Sequence, residues 1–90
     1  MVTYEGAEDP EDRLRRLWAE SLTEHLACSG VSRKGLQLAL AEVGVDVSVR
    51  AVGQWLTGET TPRPHVQAAI AHVLRVPPRS LWPLHFGPAA

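Results

Sequence analysis

Cysteine is all but missing from this chain. Of its ninety residues only Cys28 carries a thiol, so no disulfide can close within one chain. That excludes a stapled secreted scaffold and fits a reducing compartment, while a bridge between two chains stays open. Long hydrophobic runs are missing too, and none approaches the roughly 20 residues of a membrane span. The first twelve residues hold no Lys or Arg and no apolar stretch, unlike a secretory leader. The expectation is a soluble, cytoplasmic protein. Sustained period-two alternation is lacking as well. Residues 43–49 alternate, but Gly44 and Asp46 interrupt the pattern and no second run offers a partner strand.

Catalytic groupings are equally scarce. The chain has no paired carboxylates, no nucleophile set beside a base and no glycine-rich phosphate loop, so neither an enzyme nor a cofactor is expected. His25 and Cys28 stand three residues apart and could share a metal. They lack a second ligand pair, and His65 and His72 do not supply one, so no metal site is expected. Cys28 reads instead as a small core residue near the end of its helix.

What the chain does have is an uneven charge. The net charge of −1 and the pI near 6.4 average two different regions. Glu5, Glu8, Asp9, Glu11 and Asp12 crowd the start, and after them nine basic residues face five acidic ones. The later part is mildly basic, which permits nucleic-acid binding without demanding it. Residues 1–8 are polar, acidic and aperiodic, and read as a disordered tail. The tail is either a solvated terminus or an acidic arm that competes with DNA for the basic surface. Ninety residues otherwise suffice for one small domain.

Helical periodicity fills that domain. Asp9 and Pro10 are a cap and a first-turn residue, Leu14, Trp18, Leu22 and Leu26 recur at i+4 with Leu17 alongside, and Gly30 is a stop. The first helix is expected over residues 10–29, with Arg13, Arg16, Glu20 and Glu24 turned outward and Arg16–Glu20 as an exposed pair. Ser32 caps a second helix carrying Leu36, Ala39, Leu40 and Val43, ended by Gly44. Pro64 starts a fourth helix on Val66, Ala69, Ile70, Val73 and Leu74, ended by Pro77 and Pro78, and residues 79–82 form a last short turn. The expected fold is all-α, four to five helices in one compact domain over residues 9–83, with an apolar tail at 84–90. Trp18, Trp55 and Trp82 are core or edge residues. The apolar run from Leu81 to Phe86 either folds back on its own core or, the favoured reading, meets a second chain.

Residues 48–58 organise the rest. Ser48 is a cap and Gly58 a stop. Between them Val52, Trp55 and Leu56 share one helix face, and Arg50, Gly53, Gln54 and Thr57 share another. Leu40-Ala41, Gly44, Val47-Ser48, Ala51-Val52, Trp55-Leu56, Gly58, Pro62 and the segment from Ala71 to Val76 before Leu81 resemble the Cro/repressor-type (XRE-like) helix-turn-helix family over residues 31–83. The spacing of Trp55, Gly58 and Pro62 is the most specific part. This chain has about one residue more than that family between Leu40-Ala41 and Val52, which implies a looser turn at Val45 and Asp46. Its first helix is also longer, so the extra turn could serve contacts between chains.

The resemblance implies a lambda-repressor-like fold and a sequence-specific, double-stranded DNA-binding regulator, a phage-type repressor that occupies an operator. It implies that Ser48, Arg50, Gly53 and Gln54 face base edges, with Thr57 and Arg63 near phosphates. Read from chemistry alone, Arg50 suits guanine and Gln54 suits adenine. Arg33 and Lys34, in the first turn of the second helix, are phosphate contacts. Gly53 either lets the backbone approach DNA or avoids a clash with the first helix. A homodimer through the first helix or the C-terminal tail fits such repressors, which pair to read two half-sites. An antitoxin-type regulator and a protein-interaction adaptor without DNA binding are the alternatives.

Overall fold

In the computed structural model, which describes residues 9–82, helix α1 (Pro10–Ser29) starts on Asp9, whose carboxylate accepts the Glu11 N–H at 3.3 Å. Pro10 occupies the first turn, where its missing N–H has no helical partner to lose. Asp12 and Arg15 form an ion pair just beyond it. α2 (Arg33–Glu42) and α3 (Val49–Thr57) each begin on a serine. The Ser32 hydroxyl accepts the Gly35 N–H at 2.9 Å and the Ser48 hydroxyl accepts the Ala51 N–H at 3.0 Å. α4 (Pro64–Leu74) and the single-turn α5 (Pro78–Leu81) complete an all-α fold with no strand among the described residues. The candidate tails at 1–8 and 84–90 lie outside those residues.

Packing follows from the length of α1. Its twenty residues span roughly 30 Å, enough for α3, α4 and α5 to lie against it, while α2 packs on α3 and α4. Trp18, Leu22 and Leu26 of α1 meet Leu36 and Leu40 of α2, Val52 and Trp55 of α3, Val66 and Ile70 of α4, and the end of α5 in one core. Leu14 and Leu17 pack at its margin. α3 comes especially close to α1 at its C-terminus. Gly58 has a φ of 83°, and a Cβ there would stand 3.6 Å from the Arg15 carbonyl oxygen and 3.7 Å from Ala19.

Four expectations change. Cys28 is exposed, because it lies two residues beyond Leu26, roughly 200° round the helix from the buried stripe. Val43 is 46% exposed. α2 stops at Glu42, the chain turns through Gly44 at φ 87°, and Val45 takes the apolar contact while its N–H reaches the Leu40 carbonyl at 2.8 Å. The fourth helix ends at Leu74, before the prolines, because Arg75 adopts the left-handed conformation at φ 61°. Gln67 and Ala71 of that helix are also buried, beside the expected Val66 and Ile70.

The fourth change concerns the start of the C-terminal apolar run, which was expected to meet a second chain. Leu81 and Trp82 are buried in their own core. Trp82 packs edge-on against Trp18 at 5.3 Å between ring centroids, and its indole N–H donates to the Gln67 carbonyl at 2.9 Å. Buried indoles take such a polar partner when one is available.

Two substitutions test this arrangement. Trp82→Ala empties a fully enclosed site and is expected to cost about 3–5 kcal/mol in urea unfolding. Arg75→Gly removes a left-handed conformation from a residue with a Cβ and is expected to add about 1 kcal/mol, seen as a rise of roughly 4–8 °C in Tm.

Candidate nucleic-acid interface

α3 divides cleanly into two faces. Val52 and Trp55 are buried, and Ala51 and Leu56 pack at the core's edge. Val49, Arg50, Gly53, Gln54 and Thr57 cover the remaining arc of roughly 140°, and each is exposed or half-exposed. No acidic residue lies on this helix, and the only one on α2, Glu42, is its last residue. The free N–H groups at the starts of α2 and α3 add partial positive charge at that end of each helix.

The residues singled out from sequence fall into distinct places. Ser48 is exposed; its oxygen accepts the capping bond, which leaves the hydroxyl hydrogen free to donate outward. Arg50 is exposed, and neither its guanidinium nor the Gln54 side-chain amide is engaged by another described residue. Five donors on one and a donor–acceptor pair on the other are therefore available to a ligand. Gly53 lies beside them on the same arc, on the side towards Val49. Its nearest neighbour from another element is Arg33 of α2 rather than any part of α1, so the expected alternative of a clash with the first helix does not describe it.

Arg33 and Lys34 are both exposed on the first turn of α2. Arg33 leans across to α3, whereas Lys34 has no described partner. The Thr57 hydroxyl donates to the Gln54 carbonyl at 3.2 Å, so a bond to phosphate requires that proton to be released from the helix. Thr57 also borders α1, sharing a groove with Arg16 and Glu20.

Arg63 is exposed at the end of the α3–α4 loop. It faces Asp46 and Val47 of the α2–α3 turn across a cleft of about 360 Å³. The loop is fastened from beneath, since the Gln67 side-chain N–H donates to the Pro62 carbonyl at 2.7 Å. The extended α2–α3 turn is likewise held, with Val45 and Val47 packed on the core.

Two contributors escaped the reading of the chain. Val49 is 36% exposed on the outer arc, and its place on the helical wheel beside Gly53 was the available signal. Gln67 positions the loop that carries Arg63, and nothing in its local sequence marks it. His25 donates from Nδ1 to the Ser21 carbonyl at 2.8 Å, and Cys28, three residues on, is exposed. Among the described residues no three His, Cys, Asp or Glu side chains gather into a metal-binding group, and no helix is long and apolar enough to cross a membrane.

No protein-family model, curated protein or solved structure matches the chain.

The two-faced character of α3 predicts a separation of roles. Ser48→Ala removes a helix cap and is expected to lower stability by about 1 kcal/mol. Arg50→Ala and Gln54→Ala touch no core and should stay within about 0.5 kcal/mol of the parent. Parallel thermal unfolding of the three variants checks this.

Proposed function

We propose that the protein is a sequence-specific double-stranded DNA-binding regulator of the helix-turn-helix type, acting as a repressor by occupying its operator. One observation carries the reading: a short helix buries its apolar side and presents Arg50, Gly53 and Gln54, free of acidic neighbours on that helix, on the other. A major groove admits one α-helix, and base edges there pair bidentately with Arg at guanine and with Gln at adenine. Val49 adds an apolar contact suited to a thymine methyl group. Lys34 and Arg63 flank α3 from separate elements and hold phosphates, which fixes register without reading sequence. Ser48 donates to a base or phosphate from the start of the helix.

The charge balance sets the strength of this binding. The described region carries nine basic side chains against eight acidic ones, so affinity comes from the local arrangement of cations and not from net charge. With two or three cationic phosphate contacts, affinity for random duplex DNA should fall roughly 10- to 40-fold between 50 and 200 mM salt. Fluorescence anisotropy on a labelled duplex measures it. No binding at either salt concentration favours a protein-interaction adaptor and removes the proposal. Selection from a randomised duplex pool then gives the operator, and a palindromic product identifies a paired protein. On that operator Gln54→Ala should cost about 1–3 kcal/mol, concentrated at one base pair.

A further inference from the structure

Gly53 stands in the interior of α3 with no positive φ to require it. A glycine there weakens the helix by about 1 kcal/mol relative to alanine. The space its missing side chain leaves is occupied from another helix. A Cβ built at Gly53 would stand 3.4 Å from Arg33 Nη1 and 3.9 Å from Arg33 Cζ, and nothing else from another described element comes within 4 Å. Arg33 is the first residue of α2, so its side chain crosses from one helix to the outer face of the next. Its guanidinium makes no ion pair or hydrogen bond among the described residues. The side chain is thus laid against α3 with its donors unspent.

We infer that Arg33 is a sequence-determining residue that reads a base pair through the gap at Gly53; this rests on the duplex-DNA reading of the same face. The first turn of α2 suits a phosphate contact, but such a contact needs no gap in the neighbouring helix. Seated over Gly53, the guanidinium lies within the arc formed by Val49, Arg50 and Gln54 and replaces the side chain that α3 itself omits. Packing against the backbone restricts a long side chain before binding, so less rotamer freedom is lost when its planar fork meets guanine O6 and N7. The reading surface is composite: three side chains come from α3 and one from α2.

The test uses the full chain and the duplex selected from a randomised pool, together with every single-base-pair variant of that duplex. Arg33→Ala is expected to lose roughly 10- to 100-fold on the selected duplex, with discrimination abolished at one G·C pair and kept elsewhere. Arg33→Lys keeps the charge and the salt dependence yet loses that discrimination, because an ammonium cannot form the fork. Gly53→Gln fills the gap, expels the guanidinium and loses discrimination at the same pair as Arg33→Ala, and the double variant is no worse there than either single one.

A uniform loss across all duplexes in Arg33→Ala, with the salt slope lowered by about one, makes Arg33 a phosphate anchor and overturns the inference while leaving DNA binding intact. Discrimination unchanged in Gly53→Gln overturns it as well. A parent protein that selects no duplex overturns the DNA reading and this inference together. Thermal melting of each variant confirms that it folds, since both residues lie outside the core.

Discussion

A nine-residue helix does not persist alone in water, and α3 has only nine residues. Isolated helices shorter than about 12–15 residues are marginal even with favourable sequences. α3 is helical because Val52 and Trp55 are enclosed by the other helices, and burying an aliphatic side chain such as Val52 contributes about 1.5–3 kcal/mol. Everything exposed on α3 depends on that burial. The long stripe of α1 supplies the surface, and the close approach at Gly58 sets how near α3 can lie to it. Arg50 and Gln54 inherit their direction from this contact, since fixing one face of a helix fixes the other.

The remaining devices hold the ends of the elements around α3. Serine caps fasten the starts of α2 and α3, so both helix N-termini are ordered by side chains already in place. On the far side, Trp82 is bonded to the Gln67 carbonyl, and the Gln67 amide is bonded to Pro62. This connection runs from the last helix through α4 to the loop that carries Arg63. The C-terminal turn is therefore a structural element of the candidate site, although none of its own side chains is on that face.

Local chemistry made much of this fold legible in the sequence. Ser32 and Ser48 had to be caps, and Gly30, Gly44 and Gly58 had to be stops, because hydrogen-bond geometry and positive φ restrict those positions to a few residue types. The two faces of α3 followed from its helical period. Where a stop was made by another residue type, the signal vanished: Arg75 ends α4 in the conformation that glycine usually adopts, and the prolines downstream looked like the cause. Contacts between distant residues were not legible at all. The embedding of Leu81 and Trp82 in the core, the support of Pro62 by Gln67 and the placement of Arg33 over Gly53 each join elements whose separation only the folded chain sets. Of the candidate site, its α3 half could be read from periodicity, while the contribution of α2 depended on how two helices meet.

The three indoles have a practical consequence. Trp18, Trp55 and Trp82 are 4%, 7% and 1% exposed, one on α1, one on the inner side of α3 and one just after α5. Their intrinsic fluorescence is a reporter of the interior, sampling three separate elements of a single core. Loss of the native fold must bring all three into water, whereas a ligand resting on the outer side of α3 touches none of them. The protein thus carries a built-in optical probe that distinguishes a molecule that has come apart from one that has merely been occupied.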